Sequence, residues 1–320
     1  MRTAVLGGTL GLFLASIALS QDATTDKREL RYRFVKGEKL TLTMAQKMNV
    51  KLDEVPEAFQ GLAPEEPFDN AFEGEVAAEV KSIDDKGVAT IEGKFQKIKA
   101  KGAVMGNEFD WAWDKAKDGE PKIEEGGDEN PGIPGMGNPE DMLKQLALAT
   151  LTLEIDPLGK IKVGGGGGAG QMAGQLLDLG GLIGQLPKDK VGAGDTWKNN
   201  DSLALPGLPL KMQVKSDNKF EKVDKVDGVE CAVIQSKFTV GTSDEEDASQ
   251  DLPIPVKAKF AGEGTGAMSF ALDQGRPLRN EMKMEVKLTI DVPNPGGGDD
   301  IQIKGKFKLE QTLGVKKREF

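Results

Sequence analysis

Histidine is absent from this chain, and cysteine and tyrosine occur once each among 320 residues. Without an imidazole there is no Ser-His-Asp or Cys-His catalysis, no histidine zinc ligand and no side chain that ordinarily titrates near neutrality. The single cysteine, Cys231, rules out an internal disulfide, so the fold must be held by its core. It lies in the apolar run GVECAVIQSKF, where a buried, inert thiol is expected rather than a nucleophile. Positive charge is also in deficit: 42 basic against 52 acidic residues leave a net charge of −10, which speaks against a nucleic-acid partner. Aromatic residues make up only 5% while glycine reaches 41, a balance that fits a β-rich protein with irregular insertions.

What is present begins with a leader. MRTAVLGGTLGLFLASIALS, residues 1–20, places Arg2 ahead of the apolar run Ala4 to Leu19 and ends in the small-x-small triplet Ala18-Leu19-Ser20. This reads as a secretory signal peptide, so the protein is expected to be exported, periplasmic or extracellular. No cysteine follows the run to take a lipid, and no later stretch is apolar enough to span a bilayer, so no integral membrane segment is expected after cleavage. Residues 21–29 are polar and expected to be disordered.

From Leu30 onward period two dominates. Tyr32 and Phe34 alternate with Arg31 and Arg33, and Leu40, Leu42 and Met44 alternate with Thr41 and Thr43. That is the pattern of strands with one buried face. Turn signals separate further runs of this kind: KGE at Lys36 to Glu38, DDKG at Asp84 to Gly87, DPLG after TLTLEID, and DQGRP late in the chain. PEDMLKQLAL, opening on Pro139 with Glu140 and Asp141 in its first turn, predicts a short helix. Two stretches, EVKSIDDKGVATIEGKF and KFEKVDKVDGVECAVIQSKF, resemble each other as strand, acidic turn and strand. The expected fold is therefore mainly β with minor α, a large curved antiparallel sheet forming a half-barrel or barrel, with one or two short helices on its concave side. Residues 30–157 and 188–320 would form two β-meander halves of one domain, joined by residues 158–187.

That joining segment carries five consecutive glycines, Gly164 to Gly168. A phosphate loop would require a lysine and a hydroxyl after its last glycine, and Gly170 is followed by Gln171 and Met172. A dinucleotide fold would require alternating strands and helices, which are missing. The mechanical reading remains: a flexible run feeding a helix whose apolar face is Met172, Leu176, Leu179, Ile183 and Leu186. Gly174, Gly180, Gly181 and Gly184 weaken that helix, so it must dock on something. It is expected either to plug the sheet as a core helix or to act as a lid over an apolar cavity, and those five residues are the candidate ligand-binding set.

The acidic loops EEGGDEN and TSDEEDASQD lack the calcium-loop pattern, so neither metal nor cofactor is expected. FDWAWD offers Asp110 and Asp114 beside Trp111 and Trp113 for sugar chemistry, though Phe109, Trp111 and Trp113 share one face and suit a core.

The blocks RYRFVKGEKLTLTM, LPKDKVGAGDTW and GEGTGAMSFALDQGRPLRNEMKMEV together resemble a family of secreted bacterial proteins of unknown function. The resemblance implies a curved antiparallel sheet similar to the periplasmic half-barrels of lipoprotein carriers, with no activity or site residue to transfer. The leading expectation is a non-enzymatic exported protein that binds an apolar small molecule, a lipid or acyl chain. The alternative is a structural or interaction module that holds an envelope protein, and a third is a histidine-free carboxylate hydrolase.

Overall fold

The computed structural model of the protein describes residues 26–55, 67–104, 107–122, 139–164, 185–204, 211–242, 257–292 and 301–319. The described residues are mostly strand: β1 (Lys39–Glu54), β2 (Phe68–Ile83), β3 (Ala89–Val104), β4 (Asn107–Asp114), β5 (Thr150–Ile155), β6 (Ile161–Gly164), β7 (Thr196–Ala204), β8 (Lys211–Val226), β9 (Val229–Thr242), β10 (Lys257–Ala271), β11 (Arg276–Val292) and β12 (Ile301–Glu319). Two helices, α1 (Lys115–Asp118) and α2 (Pro139–Leu148), complete the set. Among the described residues no helix is long and apolar enough to cross a membrane.

All twelve strands belong to one antiparallel sheet, curved and open; eleven follow the order β6-β5-β3-β2-β1-β12-β11-β10-β9-β8-β7, and β4 pairs with β3 off this path. The first half of the chain builds one side and the second half the other. They meet where the first and last strands pair, Lys39 opposite Glu319 through Glu54 opposite Lys304. β3 has two partners on its outer edge, β5 along Ala89–Lys94 and β4 along Lys97–Val104. α2 lies over β3 through Leu143, Leu146 and Ala147, spaced as one helical face, and buries them among Phe95, Ile98, Trp113 and Leu151.

The sheet is two-faced. One face carries Leu40, Met44, Val76, Ile91, Phe238, Val240, Met282, Met284, Val286 and Leu309, all buried. The other carries cross-strand ion pairs in water, among them Lys283 with Glu310 at 3.1 Å, Lys316 with Glu75 at 2.9 Å and Lys198 with Asp217 at 2.9 Å. Such exposed pairs contribute little, roughly 0–1 kcal/mol each, so the apolar face drives the fold. A β-bulge at Gln96, between the pairs Val76–Phe95 and Glu75–Lys97, keeps Ile98 and Ala100 on the same face as Ile91 and Phe95.

The tight connections lie at one end of the sheet. There the turns at Gly87, Gly159, Gly228 and Gly275 all use glycine at positive φ. The connections at the other end run through residues outside those described.

Candidate ligand-binding face

At the tight-turn end the sheet is clasped by its own N-terminal segment. Residues 26–38 form no ladder, which differs from the strand expected around Tyr32 and Phe34. The segment runs across the strand ends, where no neighbour runs alongside to pair with it. Its backbone hydrogen bonds reach residues far apart in the chain: Arg28 and Val191 exchange a reciprocal pair at 2.8 and 2.9 Å, Tyr32 N donates to Pro157 O at 2.9 Å, and Arg33 N donates to Gly275 O at 2.9 Å. The Arg31 guanidinium donates to Pro187 O at 2.8 Å and Lys188 O at 2.5 Å. Leu186, packed on Phe220 and Ile234, donates its N–H to Leu158 O in the β5–β6 turn. This last bond joins the two far ends of the strand order across the apolar side, which makes the apolar face the concave one.

Tyr32 seals the clasp, its ring edge-on to Phe270 with centroids 5.5 Å apart. Its phenol is pushed well above its ordinary value of 10.0, by removal from water first and by the Asp156 carboxylate second. The fold therefore holds this proton more tightly than the unfolded chain does, and the stability it contributes is intact below pH 10.0 and lost as pH rises beyond it. Because Tyr32 is the only tyrosine, the phenolate absorbance of the native protein is expected to rise at higher pH than that of the unfolded chain. Coincident titrations would mean that the clasp is not packed in this way. Asp195 closes the neighbouring turn. Its carboxylate accepts from Gly192 N and pairs with Lys27, and those bonds, in that order, hold it below the ordinary carboxylate range.

Beneath the clasp lies the most buried charge of the described chain. Glu38 is 0% exposed and Arg276 4%. Glu38 Oε1 meets Arg276 Nη1 at 2.5 Å and Arg318 Nε at 2.6 Å, while Glu38 Oε2 accepts from Val35 N at 3.1 Å. Gln274 takes Arg276 Nη2 at 2.9 Å, and Arg276 Nε has no acceptor among the described residues. Burial holds the Arg276 pKa below its ordinary range, with the Glu38 bond opposing that shift. The KGE turn signal marked the place, but only the structure shows Glu38 to be a buried anchor.

Away from the clasp the concave face divides along one row of partners. It runs Trp111, Ala100, Phe72, Gln46, Gln311, Met282, Gly266, Ser236, Asn218, Trp197, from β4 across to β7. The polar members cluster on β1, β12, β9 and β8, and Asn280 stands one row nearer the clasp. Ser236 Oγ donates to Asn218 Oδ1 at 2.6 Å, and Asn218 Nδ2 donates to Ser216 Oγ at 3.0 Å. On the side away from the clasp the face is apolar from β1 to β8 apart from Ser216, which stands opposite Phe238: Met48, Val50, Phe307, Leu309, Met284, Val286, Phe260, Phe238, Val240 and Met212. Glycine strips this zone of bulk on β10. A Cβ at Gly264 would meet Lys283 O at 2.5 Å and Met284 Cγ at 2.6 Å, so its neighbours close over the strand.

Of the five residues read from the sequence as ligand-binding, Leu186 is buried at the clasped end beside Leu30, Val191 and Phe220. Met172, Leu176, Leu179 and Ile183 lie outside the described residues. Gln185 leads in over β7: its carbonyl accepts from Trp197 Nε1 and Asn199 Nδ2, both at 3.2 Å, and its side chain donates to Asp201 at 2.7 Å.

The sugar-site residues are parted by the pleat. Phe109, Trp111 and Trp113 join the core, with Trp113 Nε1 donating to Gly119 O at 2.8 Å. Asp110 and Asp114 alternate with them, so they face the charged side, where they pair with Lys101 at 3.8 Å and Lys97 at 3.2 Å. The tryptophans and these carboxylates cannot act on one substrate. Cys231 is buried and unbonded to another sulfur, and burial pushes its thiol above the ordinary 9.0. Among the described residues no three carboxylates or thiols gather as metal ligands.

No family model and no curated protein sequence matches the chain. Solved structures resemble it at low identity. Lipovitellin, in a structure titled for its lipid–protein interactions, aligns over 90% of this chain at 11% identity with a TM-score of 0.46. The chain spans only 26% of lipovitellin. DynF, from the dynemicin biosynthesis pathway of Micromonospora chersina, aligns over 98% of this chain and 92% of its own at 8% identity, with a TM-score of 0.21. An outer membrane channel from Pseudomonas putida F1 covers 89% of this chain and 97% of its own at 5% identity, with a TM-score of 0.20. At these values the likenesses add nothing to a functional argument, which rests on the concave face alone.

Proposed function

We propose that the protein is a non-catalytic binding protein that holds a lipid or acyl chain against the concave face of its sheet, and that it acts outside the cytoplasm. The observation that carries this reading is the division of the sheet into one charged face and one apolar, concave face that continues over strands from both halves of the chain. Removing apolar surface from water yields about 25 cal/mol per Å², so a long acyl chain laid on such a face gains affinity without charged contacts. The lack of any histidine favours binding over catalysis. Export is supported by the leader-like residues 1–20.

Lipid extraction and mass spectrometry on protein purified from its native host test the reading. The expected result is a co-purifying lipid in stoichiometric amount. A clean protein that also takes up no fluorescent acyl probe would remove it.

A further inference from the structure

The polar row leaves an imbalance on the concave face that the described chain does not resolve. On β8 and β9, Asn218, Ser216 and Ser236 bond one another. On β11 and β12, Asn280 Oδ1 and Gln311 Oε1 accept no hydrogen bond among the described residues, although each residue is only 3% exposed. Gln311 stands opposite Met282, and Asn280 stands opposite Leu313 in the next row, so the two amides are diagonal neighbours on adjacent strands. Buried acceptors are ordinarily satisfied, and leaving one unmet costs its full desolvation. Nothing among the described residues donates to either of them.

Resting on the lipid-binding reading above, we propose that Asn280 and Gln311 receive the neutral, hydrogen-bond-donating head of the ligand, a hydroxyl or amide N–H. Its chain runs away from the clasp along Met48, Leu309 and Met284, then Val50, Phe307 and Val286. From Gln46 to Leu52 that path covers roughly 20 Å at about 3.3 Å per residue. The head is neutral because the row contains no cation to balance a carboxylate or phosphate. The nearest buried cation, Arg276, is bonded to Glu38 and Gln274. An anionic head would have to go there instead, off the row.

Competition against a fluorescent acyl probe on the full chain tests this, with octadecanol, octadecanoate and octadecane as competitors. Octadecanol is expected to compete roughly tenfold or more better than either, the yield of one or two added hydrogen bonds. Replacing both acceptors, Asn280→Leu with Gln311→Met, is expected to erase that preference while raising thermal stability, which also shows that the variant folds. Equal competition by all three, tighter binding of octadecanoate, or a preference unchanged in the double variant would overturn the head-group assignment and leave the lipid reading standing. No competition by any of them would end both.

Discussion

Glu38→Gln is expected to lower the free energy of unfolding by about 3–5 kcal/mol, because it strands buried guanidinium charge. Most of that loss comes from Arg276, whose side chain is 5% exposed and cannot turn to water, whereas the Arg318 side chain keeps 25% of its surface in solvent. The carboxylate also accepts from Val35 N and so shapes the turn that feeds β1. Urea unfolding followed by tryptophan fluorescence reads the effect. A companion variant, Glu38→Met with Arg276→Met, removes charge from both partners and is expected to recover a large part of the loss, since a buried ion pair replaced by apolar groups is often neutral or better. A change below about 1 kcal/mol in the single variant, the range of surface pairs, would mean that Glu38 is solvated and the clasp has no ionic anchor.

Gly275→Val is the second large effect. Gly275 sits at φ +65°, and a Cβ there would meet Arg33 Cβ at 2.7 Å and Arg31 O at 2.8 Å. The left-handed backbone alone costs a β-branched residue roughly 1–3 kcal/mol. The collision adds to it and pushes the clasping segment of residues 26–38, the strap, off the turn, breaking the Arg33 N to Gly275 O bond. Gly228→Ala provides the comparison, since its φ is +81° and nothing lies within 4 Å of a Cβ. It bears the backbone cost and leaves the strap in place. Trypsin cleavage after Arg31 and Arg33 is therefore expected to accelerate at least about tenfold in the Gly275 variant and little in the Gly228 variant. Equal cleavage in the two would show that the strap does not depend on this turn.

Much of the architecture was legible in the sequence because its signals are local. The alternation at Leu40, Leu42 and Met44 lies within β1, the DDKG turn joins β2 to β3, and PEDMLKQLAL coincides with α2 from Pro139 to Leu148. Pairing order was not legible. Nothing near Lys39 or Glu319 announces that the first and last strands meet in the middle of the sheet, since that pairing is decided by which apolar faces can be buried together. The bulges at Gln96 and Glu221 escape period-two reading because they invert the face of every residue that follows. Tyr32 and Phe34 alternate as a strand would, yet they belong to a strap with no ladder.

The candidate site followed the same division. That one face would be apolar was readable strand by strand. The polar row was not, because Gln46, Gln311, Ser236 and Asn218 are scattered through the sequence and fall into one row only through the register of six strands, with Met282 and Gly266 between the two polar pairs. The three blocks that carried the family resemblance hold Glu38, Asp195 and Gly275, and the structure places these three residues at the clasped end, while the third block also runs out through Gly264 and Met284 to the far side of the sheet.

A photoreactive long-chain alcohol, with its reactive group placed in the tail, tests the central claim most directly. Cross-linked to the folded chain and mapped by residue, it is expected to label the concave side of the central strands, at Met48, Met284, Phe307 and Leu309, and to spare Lys47, Lys283, Lys306 and Lys308, which alternate with them on the charged side. Unlabelled octadecanol is expected to suppress that labelling. Adducts spread evenly over both faces, or no labelling beyond that of the unfolded chain, would contradict the account.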